Sequence, residues 1–112
     1  MIPALEVREP LSKVEFIFDY IRLHFQEDVV TILNLPELRF PGGEAIGRGA
    51  AGFCDALVAL IGQTLRNATL DEGAAYTLTF DSGVQLVVPL VGAAVRGPEA
   101  VELPRCIIIF NA

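Results

Sequence analysis

The hexapeptide GRGAAG at 47–52 runs directly into the apolar segment FCDALVALIG at 53–62. Gly47, Gly49 and Gly52 stand at the G-x-G-x-x-G spacing, which lets a backbone approach a pyrophosphate where a helix begins. A dinucleotide site needs more than this spacing. It needs a buried strand ending at the first glycine, and parallel strands alternating with helices after it. Here Gly42, Gly43 and Glu44 separate Gly47 from the nearest apolar run, which stops at Phe40, and the chain beyond Asp71 reads as hairpins and loops. What remains for this stretch is a simpler chemistry. Free amides at residues 49–53, with Arg48 beside them, can hold a small anion or the phosphate of a nucleotide.

Two acids come next. Asp19 and Glu99 are the carboxylates most enclosed by apolar or turn residues, and a pair meeting in a cleft can divide general acid and general base work. Their structural roles are simpler: Asp19 satisfies amides at a bend in a strand, and Glu99 sits early in a helical turn after Pro98. His24, the only histidine, alternates out of phase with Leu23 and Phe25 and so points away from the core. No Ser or Cys nucleophile stands in a recognisable motif with it, and no Cys and His ligands cluster as zinc requires. Cys54 and Cys106 lie in the apolar contexts GFCDAL and RCIIIF and read as buried, reduced small hydrophobes. No catalytic residue, metal or cofactor is expected.

These residues must be positioned by a small set of elements. VEFIFDYIRLHF at 14–25 is β-branched and aromatic and reads as a strand whose buried face changes sides near Asp19 and Tyr20, through a bulge or sharp bend. VVTILNL at 29–35 returns as its hairpin partner, and ELRF at 37–40 continues after Pro36 as an edge piece. The glycine-rich stretch 41–52 is a loop leading into one helix at about 51–61, with Phe53, Leu57, Leu60 and Ile61 on one apolar stripe and Gly62 at its end. Strands follow at 64–70, 75–80 and 84–90, the last two joined by DSG at 81–83, where Gly83 supplies a positive φ. CIIIF at 106–110 is a last strand buried on both faces. The fold expected is α+β: a single domain spanning 1–112, with a curved, mainly antiparallel sheet of roughly six or seven strands packed around the helix.

Composition bounds the partners. The chain carries a net charge of −6 with no cluster of Arg or Lys, so nucleic acid is not an expected partner. No apolar run is long enough to span a bilayer, and the first residues lack the basic start and apolar block of a signal peptide, so the expected location is the cytoplasm. At 112 residues, 53% hydrophobic content is more than a small domain can hide, so some apolar surface faces a partner. If the strand containing Ile107, Ile108, Ile109 and Phe110 is an edge, pairing with a second copy covers it and gives a homodimer.

The blocks VEFIFDYIRLHF, ILNLPELR, ALVALIGQTL and LTFDSGVQLVVPL followed by GPEAVEL resemble a group of small uncharacterised bacterial β-rich domains. The resemblance implies a compact β-rich domain, and some similar domains look like immunity or accessory proteins that act by binding another protein. It brings no catalytic residue with it. The function expected is a non-catalytic, self-associating interaction or accessory domain, and the alternative is a small-ligand, anion or nucleotide-binding domain using Gly47, Arg48, Gly49 and Gly52.

Overall fold

A computed structural model describes residues 7–111. The first difference from the sequence reading lies in 14–25, which is a hairpin and not one bent strand. β1 (Lys13–Ile17) and β2 (Tyr20–Phe25) pair antiparallel about a turn at Phe18 and Asp19. The register sets Phe16 against Ile21 and Val14 against Leu23. The two apolar phases therefore share one face without a bulge, because the chain has doubled back. β3 (Asp28–Ile32) pairs with β2 after a two-residue turn whose Gln26 takes a φ of 60°.

β4 (Glu37–Arg39) and β5 (Ala45–Gly47) form the next hairpin, so part of the expected glycine loop is a strand. α1 (Phe53–Val58) follows, shorter than the 51–61 expected. Gly52 precedes it with a φ of 89°, and beyond Val58 the amides of Leu60 and Ile61 bond three residues back, to Leu57 at 3.1 Å and Val58 at 3.0 Å. That tightening ends the α-helix. Gly62, at a φ of 99°, donates its N–H to the Leu11 carbonyl at 2.7 Å, which fastens the helix end to the segment before β1. Phe53, Leu57 and Leu60 are buried as the stripe predicted, whereas Ile61 is exposed.

β6 (Leu65–Asp71), β7 (Ala75–Phe80) and β8 (Gln85–Pro89) form a meander. Gly83 takes its positive φ of 92° in the turn between the last two. β9 (Glu99–Leu103) and β10 (Ile107–Phe110) close the chain as a hairpin. Glu99 thus opens a strand and not a helical turn.

The strands fall into two antiparallel sheets of five, in the orders β1-β2-β3-β9-β10 and β5-β4-β8-β7-β6. The architecture is mostly β with one short helix, and a single sheet of six or seven strands is only a rough approximation to it. Each sheet is a three-strand meander completed by a hairpin from elsewhere. β3 leads across to β4, which pairs with β8, and β8 leads back to β9, which pairs with β3. β4 is consequently an interior strand and not an edge. Ile21, Leu23 and Phe25 of one sheet, Tyr76, Leu78 and Phe80 of the other, and Phe53 and Leu57 of α1 belong to one buried cluster. Each such side chain contributes about 1.5–3 kcal/mol by leaving water. No helix among the described residues is long and apolar enough to cross a membrane.

Candidate functional site

The two passages between sheets lie side by side, and a cleft opens over them. Its centre is Asn34, a polar residue inside the apolar run ILNLPELR and only 2% exposed. The Asn34 amide donates to the Pro89 carbonyl at 2.7 Å and to Asn111 Oδ1 at 2.6 Å, and its Oδ1 accepts the Arg96 backbone N–H at 3.1 Å. Backbone bonds flank it, from Leu33 N–H to the Ala100 carbonyl and from Leu35 N–H to the Ala94 carbonyl, both 2.9 Å. Asn111 adds a side-chain bond to the Gly97 carbonyl and a backbone bond to Pro98 at 3.0 Å. One buried amide thus ties both crossings and the segment after β10 together, and this satisfaction is what permits its burial.

Above this floor the β1–β2 turn forms one wall and the turn after β5 the other. The cavity between them measures about 350 Å³, with an apolar base of Ile21, Ile32, Leu35 and Pro36. Arg48, Gly49, Asp19, Tyr20 and Arg96 also line it. An adjoining recess of about 280 Å³ shares Asp19, Tyr20 and Arg96 and ends at Glu99. The Arg48 N–H bonds the Pro36 carbonyl at 2.9 Å, which pins this turn to the first crossing. The Arg48 guanidinium lies over the Phe16 ring, 5.4 Å from its centroid, and donates to Cys54 Sγ at 3.4 Å. Phe18, at the tip of the β1–β2 turn, is 99% exposed on the cleft rim.

The residues singled out in sequence are therefore partly reunited. Arg48 and Gly49 share the cavity with Asp19, and Asp19 shares the recess with Glu99. Gly47 and Gly52 do not line it: Gly47 ends β5, and Gly52 is the residue before the helix. Asn34, Arg96, Tyr20 and the exposed Phe18 were not anticipated. The one signal for Asn34 was a polar side chain in an apolar stretch, and nothing local marks Arg96 as its neighbour.

Two other features lie elsewhere. His24, on the outer face of its sheet, is half-buried and bonds through Nε2 to the Glu15 carboxylate. That bond, with attraction to Lys13 adding to it, holds the Glu15 carboxyl below the usual range. β10 is the outermost strand of its sheet, and of its four residues only Ile109 is buried; Ile107, Ile108 and Phe110 are 36%, 38% and 60% exposed. The expectation of a strand buried on both faces fails: Ile109 reaches the core, while Ile108 and Phe110, which alternate with it on the opposite face, stay exposed. Cys54 and Cys106 are exposed and free, not buried. Cys54 follows the inward-facing Phe53 and turns outward, and Cys106 sits with Arg105 in a tight left-handed turn between β9 and β10, at φ 61° and 64°. Among the described residues no group of three or more His, Cys, Asp or Glu side chains is placed to hold a metal ion.

No protein-family model, no curated protein and no solved structure matches the chain.

Proposed function

We propose that the chain is a non-catalytic protein-interaction or accessory domain, immunity-like in kind, that self-associates through β10. The observation supporting this reading is the composition of the sheet edge: an outermost strand that presents Ile107, Ile108 and Phe110 to solvent. Exposed apolar edges of this type are normally blunted by charge, proline or a covering loop, and β10 carries none of the first two. An antiparallel β10–β10 pair about a twofold axis extends the sheet across two copies and covers the same side chains on each. Net charge opposes this association, since two copies at −6 repel, so added salt should tighten it.

Sedimentation velocity over a concentration series tests the reading. A dimer that strengthens with salt is expected, and Ile108→Lys should convert it to a monomer with an unchanged circular dichroism spectrum. A wild-type chain that stays monomeric at all concentrations, or an Ile108→Lys variant that dimerises as before, refutes it.

A further inference from the structure

We infer that the cleft over Asn34 is a binding site for a carboxylate carried on an apolar or aromatic body, with Arg48 and Arg96 holding the carboxylate. Three properties meet there. The base, Ile21, Ile32, Leu35 and Pro36, is apolar and suits a hydrocarbon or ring. The lining includes two arginines from distant parts of the chain, Arg48 and Arg96, and among the described residues neither is ion-paired: the pairs formed are Lys13–Glu15, His24–Glu15 and Arg39–Glu37. Guanidinium groups present planar forks that match a carboxylate. Finally, the Arg48 guanidinium is held by the Phe16 ring and Cys54, and the Arg96 main chain is fixed by its bond to Asn34, so that its side chain starts from a fixed point beside the cleft. Preorganised donors lose less freedom on binding.

The acids of the same cleft select the charge. Asp19 and Glu99 stand along it, and the chain as a whole carries −6, so a dianionic phosphate ester meets more repulsion than a monoanion does. A carboxylate with an apolar body engages both arginines at a smaller repulsive cost. The same group can arrive as a free amphipathic acid or as an acidic side chain beside an aromatic one in another protein's segment.

The experiment is an amide-resolved NMR titration of the full chain with 3-phenylpropionate, run beside acetate, 3-phenylpropan-1-ol, phenyl phosphate and the capped dipeptide N-acetyl-Phe-Glu-amide. Saturable shifts at Asp19, Gly49, Arg96 and Gly97 with phenylpropionate or the dipeptide are expected, and much weaker ones with acetate and the alcohol. Tighter binding of the dipeptide assigns the carboxylate to a partner's chain, and tighter binding of phenylpropionate to a free acid. Arg48→Gln and Arg96→Gln should each weaken binding about tenfold, as loss of a charge-assisted bond does, with amide positions elsewhere unchanged. The inference is overturned if neither carboxylate saturates, if the alcohol binds as well, if phenyl phosphate binds more tightly, or if both variants bind like wild type. Repeating the titration on Ile108→Lys separates it from the self-association reading, because the cleft does not include β10.

Discussion

Replacing Asn34 is the most direct way to ask whether the two crossings depend on one side chain. In Asn34→Ala three hydrogen bonds disappear, to the Pro89 carbonyl, Asn111 Oδ1 and the Arg96 N–H. A net value near 1 kcal/mol for each gives a destabilisation of about 3 kcal/mol, since the groups left behind lie in a site too enclosed to regain full solvation. In a chain of 112 residues that loss corresponds to a drop in Tm of roughly 10–15 °C. The chain should still fold, because small domains hold about 5–15 kcal/mol in total. Asn34→Asp sharpens the test. The carboxylate keeps the bond from Arg96 but sets an oxygen against the Pro89 carbonyl and Asn111 Oδ1, where the amide had donated at 2.7 and 2.6 Å. The protonated acid can restore one donation, so the folded state favours protonation and raises this carboxyl above its unfolded value. The Asp variant's deficit relative to wild type should therefore be smallest below the unfolded value and grow as pH rises through the folded one. Urea unfolding followed by far-ultraviolet circular dichroism at several pH values measures this, with the slope against urea unchanged. An Ala variant losing less than about 1 kcal/mol, or an Asp deficit that does not vary with pH, would refute the reasoning.

Tyr76 and Glu15 give two further tests. The Tyr76 hydroxyl is buried with no hydrogen-bond partner among the described residues, and burial pushes its pKa up to about 12. Because the folded value lies above the ordinary 10.0, stability should be intact below pH 10 and fall as pH climbs toward 12. Tyr76→Phe should stabilise the neutral protein by about 1 kcal/mol and remove that alkaline loss, and a variant that is less stable than wild type contradicts the assignment. The Glu15 carboxyl, held low first by the His24 bond, should titrate closer to 4.5 in His24→Ala by carboxyl carbon NMR. Its depressed value means that its small stabilising effect is present above 4.5 and fades as pH falls through the folded value; an unmoved titration removes His24 as the cause.

The alternation of Tyr76, Leu78 and Phe80 and the turn at Gly83 made β7 and β8 legible, because both signals are local. The β1–β2 turn was hidden because Asp19 is its single turn-forming residue, with no Gly, Pro or Asn beside it, and the aromatic Phe18 sits at its tip. The two-sheet arrangement was hidden for another reason: it depends on which meander accepts β4 and which accepts β9, a choice made by non-local pairing. The cleft was legible only in fragments. Arg48 and Gly49 stood out through glycine spacing, and Asp19 and Glu99 through their settings, but their shared location depends on Asn34 joining segments far apart in sequence.

The exchange of hairpins also sets an order in which the chain can become a protein. As the polypeptide lengthens from its N-terminal side, β1, β2 and β3 can pair at once, yet β3 keeps an open edge until β9 has been made. The β4–β5 hairpin likewise waits for β8. Neither half can bury its apolar face with its own strands, so assembly waits until β8 and β9 have been made and then proceeds across both sheets together. Until that moment Val30 and Ile32, fully covered in the finished fold, lie beside an unpaired edge. The nascent chain is thus most exposed to aggregation in the interval between the emergence of β3 and that of β9, and the β9–β10 hairpin is the one that ends this exposure.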